Sequence, residues 1–137
     1  MKNEVDGRRE IASRNTAWAN SIARKLTRWG ITPNQISMMS VFFAMVGCLL
    51  LIGTVIYPGF NKYVAYILFI ICMQSRLLCN LFDGMVAIEG GKKSANGDLY
   101  NDMPDRFADA LFIIPVGYVA GGFGIELGWL AALLAVM

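Results

Sequence analysis

Six of the ten acidic residues in this 137-residue chain fall between Asp83 and Asp109. Arg76, Asn80 and Asp83 are spaced by four and three residues, which on a helix stacks them on one face, and Asn101, Asp105 and Asp109 follow each other at intervals of four. The chain has no histidine. Imidazole-based zinc sites and nucleophiles activated by a histidine base are therefore excluded, and any chemistry must run on carboxylates. Oxygen ligands without histidine or nearby cysteine suit a hard cation such as Mg²⁺ or Mn²⁺, which would bring a phosphate-bearing substrate. Acids near helix ends also serve as amino-terminal caps, and Asp98 or Asp102 could be one, with Pro104 in the first turn. Cys48, Cys72 and Cys79 lie singly in apolar runs and read as buried thiols, not a disulfide framework or a metal set.

The elements that must position these groups read as membrane helices. Hydrophobic residues make up 56% of the chain and charged residues 16%, with a mean hydropathy of +0.51. A soluble domain of this size could not hide that much apolar surface. The net charge of +2 is too small to argue for nucleic acid. Seven Lys or Arg precede Gly30, and none follows until Lys62, a distribution of membrane flanks.

Residues 1–12 read as a mobile cytoplasmic end without the apolar region of a signal peptide. Over 13–29, Trp18, Ile22, Leu26 and Trp29 recur at helical spacing and predict an amphipathic helix at the bilayer surface. Thr32-Pro33-Asn34 marks a fresh helix start, with Thr32 as its cap and Pro33 in its first turn. Membrane spans are expected at 36–57, 63–82 and 105–123, with a fourth from 127 cut short at 137. The hydrophilic, glycine-rich stretch from Asp83 to Tyr100 reads as a loop between the second and third spans. The fold class is thus all-α, a polytopic membrane bundle. Acids at membrane depth cost about 2.5–3.5 kcal/mol each, so they usually face a cavity. The second and third spans, joined by that loop, are expected to close their polar faces around a shared one. The Lys and Arg asymmetry places the amino terminus and the loop with Lys92 and Lys93 in the cytoplasm.

The acids also sit in a pattern. Asn80-x-x-Asp83-Gly84-x-x-Ala87-Ile88 is followed, after eight residues, by Gly97-x-x-x-Asn101-x-x-x-Asp105. This resembles the D-x-x-D-G-x-x-A-R, eight residues, G-x-x-x-D-x-x-x-D signature of the CDP-alcohol phosphotransferases, with the same spacing throughout. Asn80 and Asn101 stand where the family usually has Asp, and Ile88 where it has Arg. The likeness runs from about Ser13 onward and takes in the surface helix and Thr32-Pro33-Asn34.

The resemblance implies a six-helix plan, of which this chain would be an incomplete portion, and a homodimer in a bacterial inner membrane with its site on the cytoplasmic side. It implies that Asp83, Asp105, Asn80 and Asn101 occupy the metal-ligand positions for Mg²⁺ or Mn²⁺, with Asp105 also the base for the attacking hydroxyl. Gly84, Ala87 and Gly97 would lie at the cytidine, and Arg76, Asp98 and Asp102 would be auxiliary. The implied reaction joins an acceptor alcohol to the phosphoalcohol or phosphatidyl part of a CDP-alcohol, such as CDP-diacylglycerol, and releases CMP. Asn keeps an oxygen ligand but loses charge, which could reduce a two-ion site to one ion. Two other readings use the same acids: a catalytically silent relative that binds nucleotide or lipid, and a subunit of a cation carrier.

Overall fold

The computed structural model describes residues 16–89 and 97–137, with side chains over 16–88 and 103–137. Among the described residues the chain is all-helical, with five helices: α1 (Ala17–Arg28), α2 (Pro33–Ile56), α3 (Lys62–Glu89), α4 (Gly97–Ala120) and α5 (Phe123–Val136). Two of them, α2 and α3, are long and apolar enough to cross a membrane. At 1.5 Å per residue, the 24 residues of α2 extend about 36 Å, against a hydrocarbon layer of about 30 Å.

The start of α2 follows from local chemistry. Thr32 accepts a hydrogen bond from the Gln35 backbone N–H at 3.3 Å, and the Gln35 side chain accepts from the Thr32 N–H at 3.0 Å. This reciprocal capping box, with Pro33 in the first turn, satisfies backbone donors that would otherwise lack acceptors.

Helix α2 is the centre of the bundle, packing on α3 along one side and on α4 along another, while α5 packs on α4 and α1 on α3. Its buried stripe is made mostly of small residues: Ser37, Ser40, Ala44, Gly47, Leu51 and Thr54. Small side chains let helices approach closely, which is how helices pack where no hydrophobic effect drives them together. At Gly47 the fit is tightest, since a Cβ there would lie 2.8 Å from the Phe112 ring and 3.3 Å from the Phe69 ring.

The structure corrects several expected boundaries. The stretch from Asp83 is not loop at its start, because α3 runs on to Glu89 and carries Asp83, Gly84, Ala87 and Ile88 on helix. Met85 and Val86 are buried, and Met85 packs with Ala19 and Ala23 of α1. Apolar burial of that last turn outweighs the weak helix preference of Gly84. Helix α4 starts at Gly97, well before the expected third span, so Pro104 stands about two turns inside it and not in its first turn. Pro115 lies deeper in the same helix and is fully buried. The break before α5 falls at Gly121 and Gly122, whose φ values of 70° and 51° are open to glycine. Helix α5 therefore begins at Phe123, ahead of the expected Leu127.

In α5, Gly124, Gly128 and Ala132 are spaced by four, and Gly128 meets Gly117 of α4 backbone to backbone. Arg106 Nη1 donates to the Val136 carbonyl at 2.7 Å, satisfying an acceptor in the last turn of α5. On α1, Ala19 and Ala23 face α3, and Trp18 meets Phe82 edge-on at 6.2 Å. Trp29, Trp18 and Ile22 remain exposed, with Lys25 over the Trp29 ring.

Candidate functional site

The polar residues of α3 are positioned by α2. Asp83 is 3% exposed, and its Oδ2 accepts a hydrogen bond from Ser37 Oγ at 3.3 Å. One turn back, Asn80 Oδ1 accepts from Ser40 Oγ, also at 3.3 Å. The two serines lie three residues apart on α2, as Asn80 and Asp83 do on α3, so two adjacent rungs join the antiparallel helices. A buried carboxylate without donors would be costly, and Ser37 is one group that makes Asp83 tenable at this depth.

Among the described residues, helices α3 and α4 make little direct backbone contact. Their axes stand apart, with α2 behind them both. Side chains bridge the gap at two levels. At the lower level Phe69 and Phe112 meet with ring centroids 5.4 Å apart and planes at 70°. At the upper level Arg76 reaches α4: its Nη2 lies 2.8 Å from Asp109 Oδ1 and 3.9 Å from Asp105 Oδ1, and donates to the Asp105 carbonyl oxygen at 3.1 Å.

These pairings fix the antiparallel register. Position 69 faces 112, and position 76 faces 105 to 109. Asn80 and Asp83 lie one and two turns further along α3 from Arg76, and α4 begins at Gly97, two turns before Asp105. Asp105 is half-buried on the α4 side. Gly84 and Ala87 are half-buried on α3, and Ile88, where the resembling family has Arg, is 54% exposed. The side chains of Asp98, Asn101 and Asp102, and the side of Gly97 expected to meet a nucleotide, lie outside the described residues.

All the donors are oxygen: carboxylates of Asp83 and Asp105, and the amide carbonyl of Asn80. That chemistry fits Mg²⁺ or Mn²⁺. Among the described residues, no three Asp, Glu, Cys or His side chains converge as a metal-ligand group.

Sequence reasoning missed Ser37, Ser40 and the role of Asp109. The serines carried a signal, two hydroxyls three apart in a run with no charge, but average hydropathy hides them. Asp109 was legible as part of the α4 stripe. Its partner was not, because the Arg76 to Asp109 contact spans 33 residues.

A second feature adjoins this site. A groove of ≈ 940 Å³ runs between α1, α2 and α3, walled by Ile22, Leu26, Met38, Phe42, Leu78 and Phe82, with Asn34 and Gln35 along its lining.

No protein-family model, curated protein or solved structure matches this chain.

Proposed function

We propose that the chain forms the site of a membrane-embedded transferase that moves a phosphatidyl or phosphoalcohol group from a CDP-alcohol to an acceptor hydroxyl, releasing CMP. One observation supports this reading: Asn80 and Asp83 are tied to Ser40 and Ser37 of α2, while Arg76 on the same helix reaches Asp105 and Asp109 of α4. Acting on a diphosphate would require the spaced acidic pattern of α3 and α4 to converge beside that link. The apolar groove beside it, walled by α1 to α3, supports a lipid donor such as CDP-diacylglycerol.

Under this reading α2, α3 and α4 cross the membrane, α1 lies along its surface, and the site opens to the cytoplasm. An α3 of 28 residues is about 42 Å long, so its last two turns project past the hydrocarbon layer. Asp83 then sits near the interface, where an aqueous nucleotide and a lipid tail can both reach. Asp83 and Asp105, with Asn80 and Asn101, would hold Mg²⁺ or Mn²⁺, which neutralises a diphosphate and the charge on departing CMP. Asp105 accepts the proton of the acceptor hydroxyl as its oxygen attacks the β-phosphorus, and the bond from that phosphorus to CMP breaks. Ser37 and Ser40 hold Asp83 and Asn80 in place throughout.

The test is CMP release from a panel of CDP-alcohols and acceptors, with and without chelator, using the complete protein in lipid nanodiscs. Metal-dependent release supports the reading. Nucleotide binding without turnover on any substrate supports the silent relative, and cation flux without nucleotide binding supports the carrier.

A further inference from the structure

We propose that the groove between α1, α2 and α3 binds one anionic phospholipid of the surrounding leaflet, with an acyl chain along the groove and the phosphate at the basic end of α1. The proposal rests on the membrane placement given above and not on the transfer chemistry. The groove's volume of ≈ 940 Å³ lies within the range of about 300–1,000 Å³ usual for ligand pockets. Its walls are Ile22 and Leu26 of α1, Met38 and Phe42 of α2, and Leu78 and Phe82 of α3. Met38, Phe42 and Leu78 are all exposed, so no described residue covers this concave apolar surface.

Length selects the occupant. Along α2 the lining runs from Asn34 to Phe43, about 14 Å at 1.5 Å per residue, which is close to half of the roughly 30 Å hydrocarbon layer. An acyl chain of one leaflet reaches that far. The polar end of the lining, Asn34 and Gln35, lies in the first turn of α2, where a head group would leave the groove.

Charge selects the head group. Helix α1 carries Arg24, Lys25 and Arg28 and no acid, and the sequence has no acid anywhere from Ile11 to Phe82. All three cations are exposed, and Lys25 stands 5.0 Å over the Trp29 ring, an ammonium and an indole together where head groups lie. Each basic residue close to a lipid surface favours an anionic over a neutral head group about fivefold. Phe82 ties the lipid to the fold, because it lines the groove and also meets Trp18 edge-on at 6.2 Å. A chain in the groove therefore supports α1 on α3 beside the contact made by Ala19 and Ala23.

The experiment is native mass spectrometry of the complete protein, delipidated in detergent and titrated with phosphatidylglycerol or with phosphatidylcholine of the same acyl chains. The proposal expects one phosphatidylglycerol per chain, held about tenfold or more tightly than phosphatidylcholine. Lys25→Gln with Arg28→Gln should erase most of that preference. Ser75→Phe on α3 and Met39→Trp on α2 each put a ring into the groove and leave every cation in place, so each should bring phosphatidylglycerol down to the phosphatidylcholine level with helicity unchanged. Two blocking positions on different helices keep the test valid if one variant fails to fold. Equal retention of the two lipids overturns the proposal, and so does phosphatidylglycerol retention that survives both blocking variants, which is adhesion to a basic helix without a groove. Capture of CDP-diacylglycerol with rejection of phosphatidylglycerol overturns it too and leaves the groove to the donor alone. If the phosphatidylglycerol pattern holds but no CDP-alcohol yields CMP, the lipid site stands and the transferase reading falls.

Discussion

Glycine-to-alanine changes at three helical positions should have sharply different effects, because their surroundings differ in what can give way. An alanine inside a helix is better by about 1 kcal/mol than a glycine if nothing else changes. Overpacking a tight contact costs about 1–3 kcal/mol. At Gly53 the nearest atoms to a new Cβ belong to the Phe60 ring at 3.8 Å, ordinary contact, so Gly53→Ala should be stabilising by up to about 1 kcal/mol. At Gly47 a Cβ would lie 2.8 Å from the Phe112 ring and 3.3 Å from the Phe69 ring, which can shift partly, giving a net loss of roughly 0–2 kcal/mol. At Gly117 a Cβ would lie 2.7 Å from the Gly124 carbonyl oxygen and 3.0 Å from Gly128 Cα. Both are backbone, so α4 and α5 must separate, and the net loss should be about 2 kcal/mol, roughly a thirtyfold change in the folded-to-unfolded ratio. The assay is reversible unfolding in mixed micelles, followed by helicity and by Trp129 fluorescence. Trp129 Nε1 donates to the Tyr118 hydroxyl at 3.4 Å across the same helix pair, so it reports separation locally. Equal stability of Gly117→Ala and Gly53→Ala would refute the close backbone approach of α4 and α5.

Two further predictions concern the membrane. With Cys48, Cys72 and Cys79 replaced, a cysteine at Ser94, between α3 and α4, should resist impermeant thiol reagents in sealed cells, while one at Gly59 in the exposed α2–α3 turn should label; the reverse would invert the orientation. In a Trp129→Phe background, fluorescence of exposed Trp18 and Trp29 should be quenched by shallow bilayer labels and little by aqueous iodide, and strong iodide quenching would remove α1 from the lipid surface.

Helix identity and the acidic constellation were legible in the sequence because both depend on local spacing. Thr32-Pro33 gave the start of α2, and the uncharged run from Ile36 to Tyr57 gave its length. The end of α3 was not legible. Glycines and acids after Asp83 suggest loop, and only burial of Met85 against Ala19 and Ala23 keeps the turn helical. That contact joins segments more than 60 residues apart, which local propensity cannot anticipate. The surroundings of the candidate residues were not legible. Spacing singles out Asp83, Asn80 and Asp105, but their placement depends on α2 lying behind α3 and α4, and on Ser37, Ser40 and Arg76 as the links. The small-residue stripe on α2 encodes that central position, yet an apolar run of this length hides which side is buried.

The most direct test of the central claim is CMP release from a CDP-alcohol by the complete protein, compared among the unmodified form, Asp83→Asn and Asp105→Asn, with Mg²⁺ or Mn²⁺ and with chelator. The account predicts release only with metal, and its loss in both variants. Removing a general base alone lowers rates about 10²- to 10⁴-fold. Asn80→Asp should retain activity, because it adds charge at a ligand position. Release that persists under chelator, or that is untouched by both Asp83→Asn and Asp105→Asn, would contradict the proposal that these residues form the site of transfer.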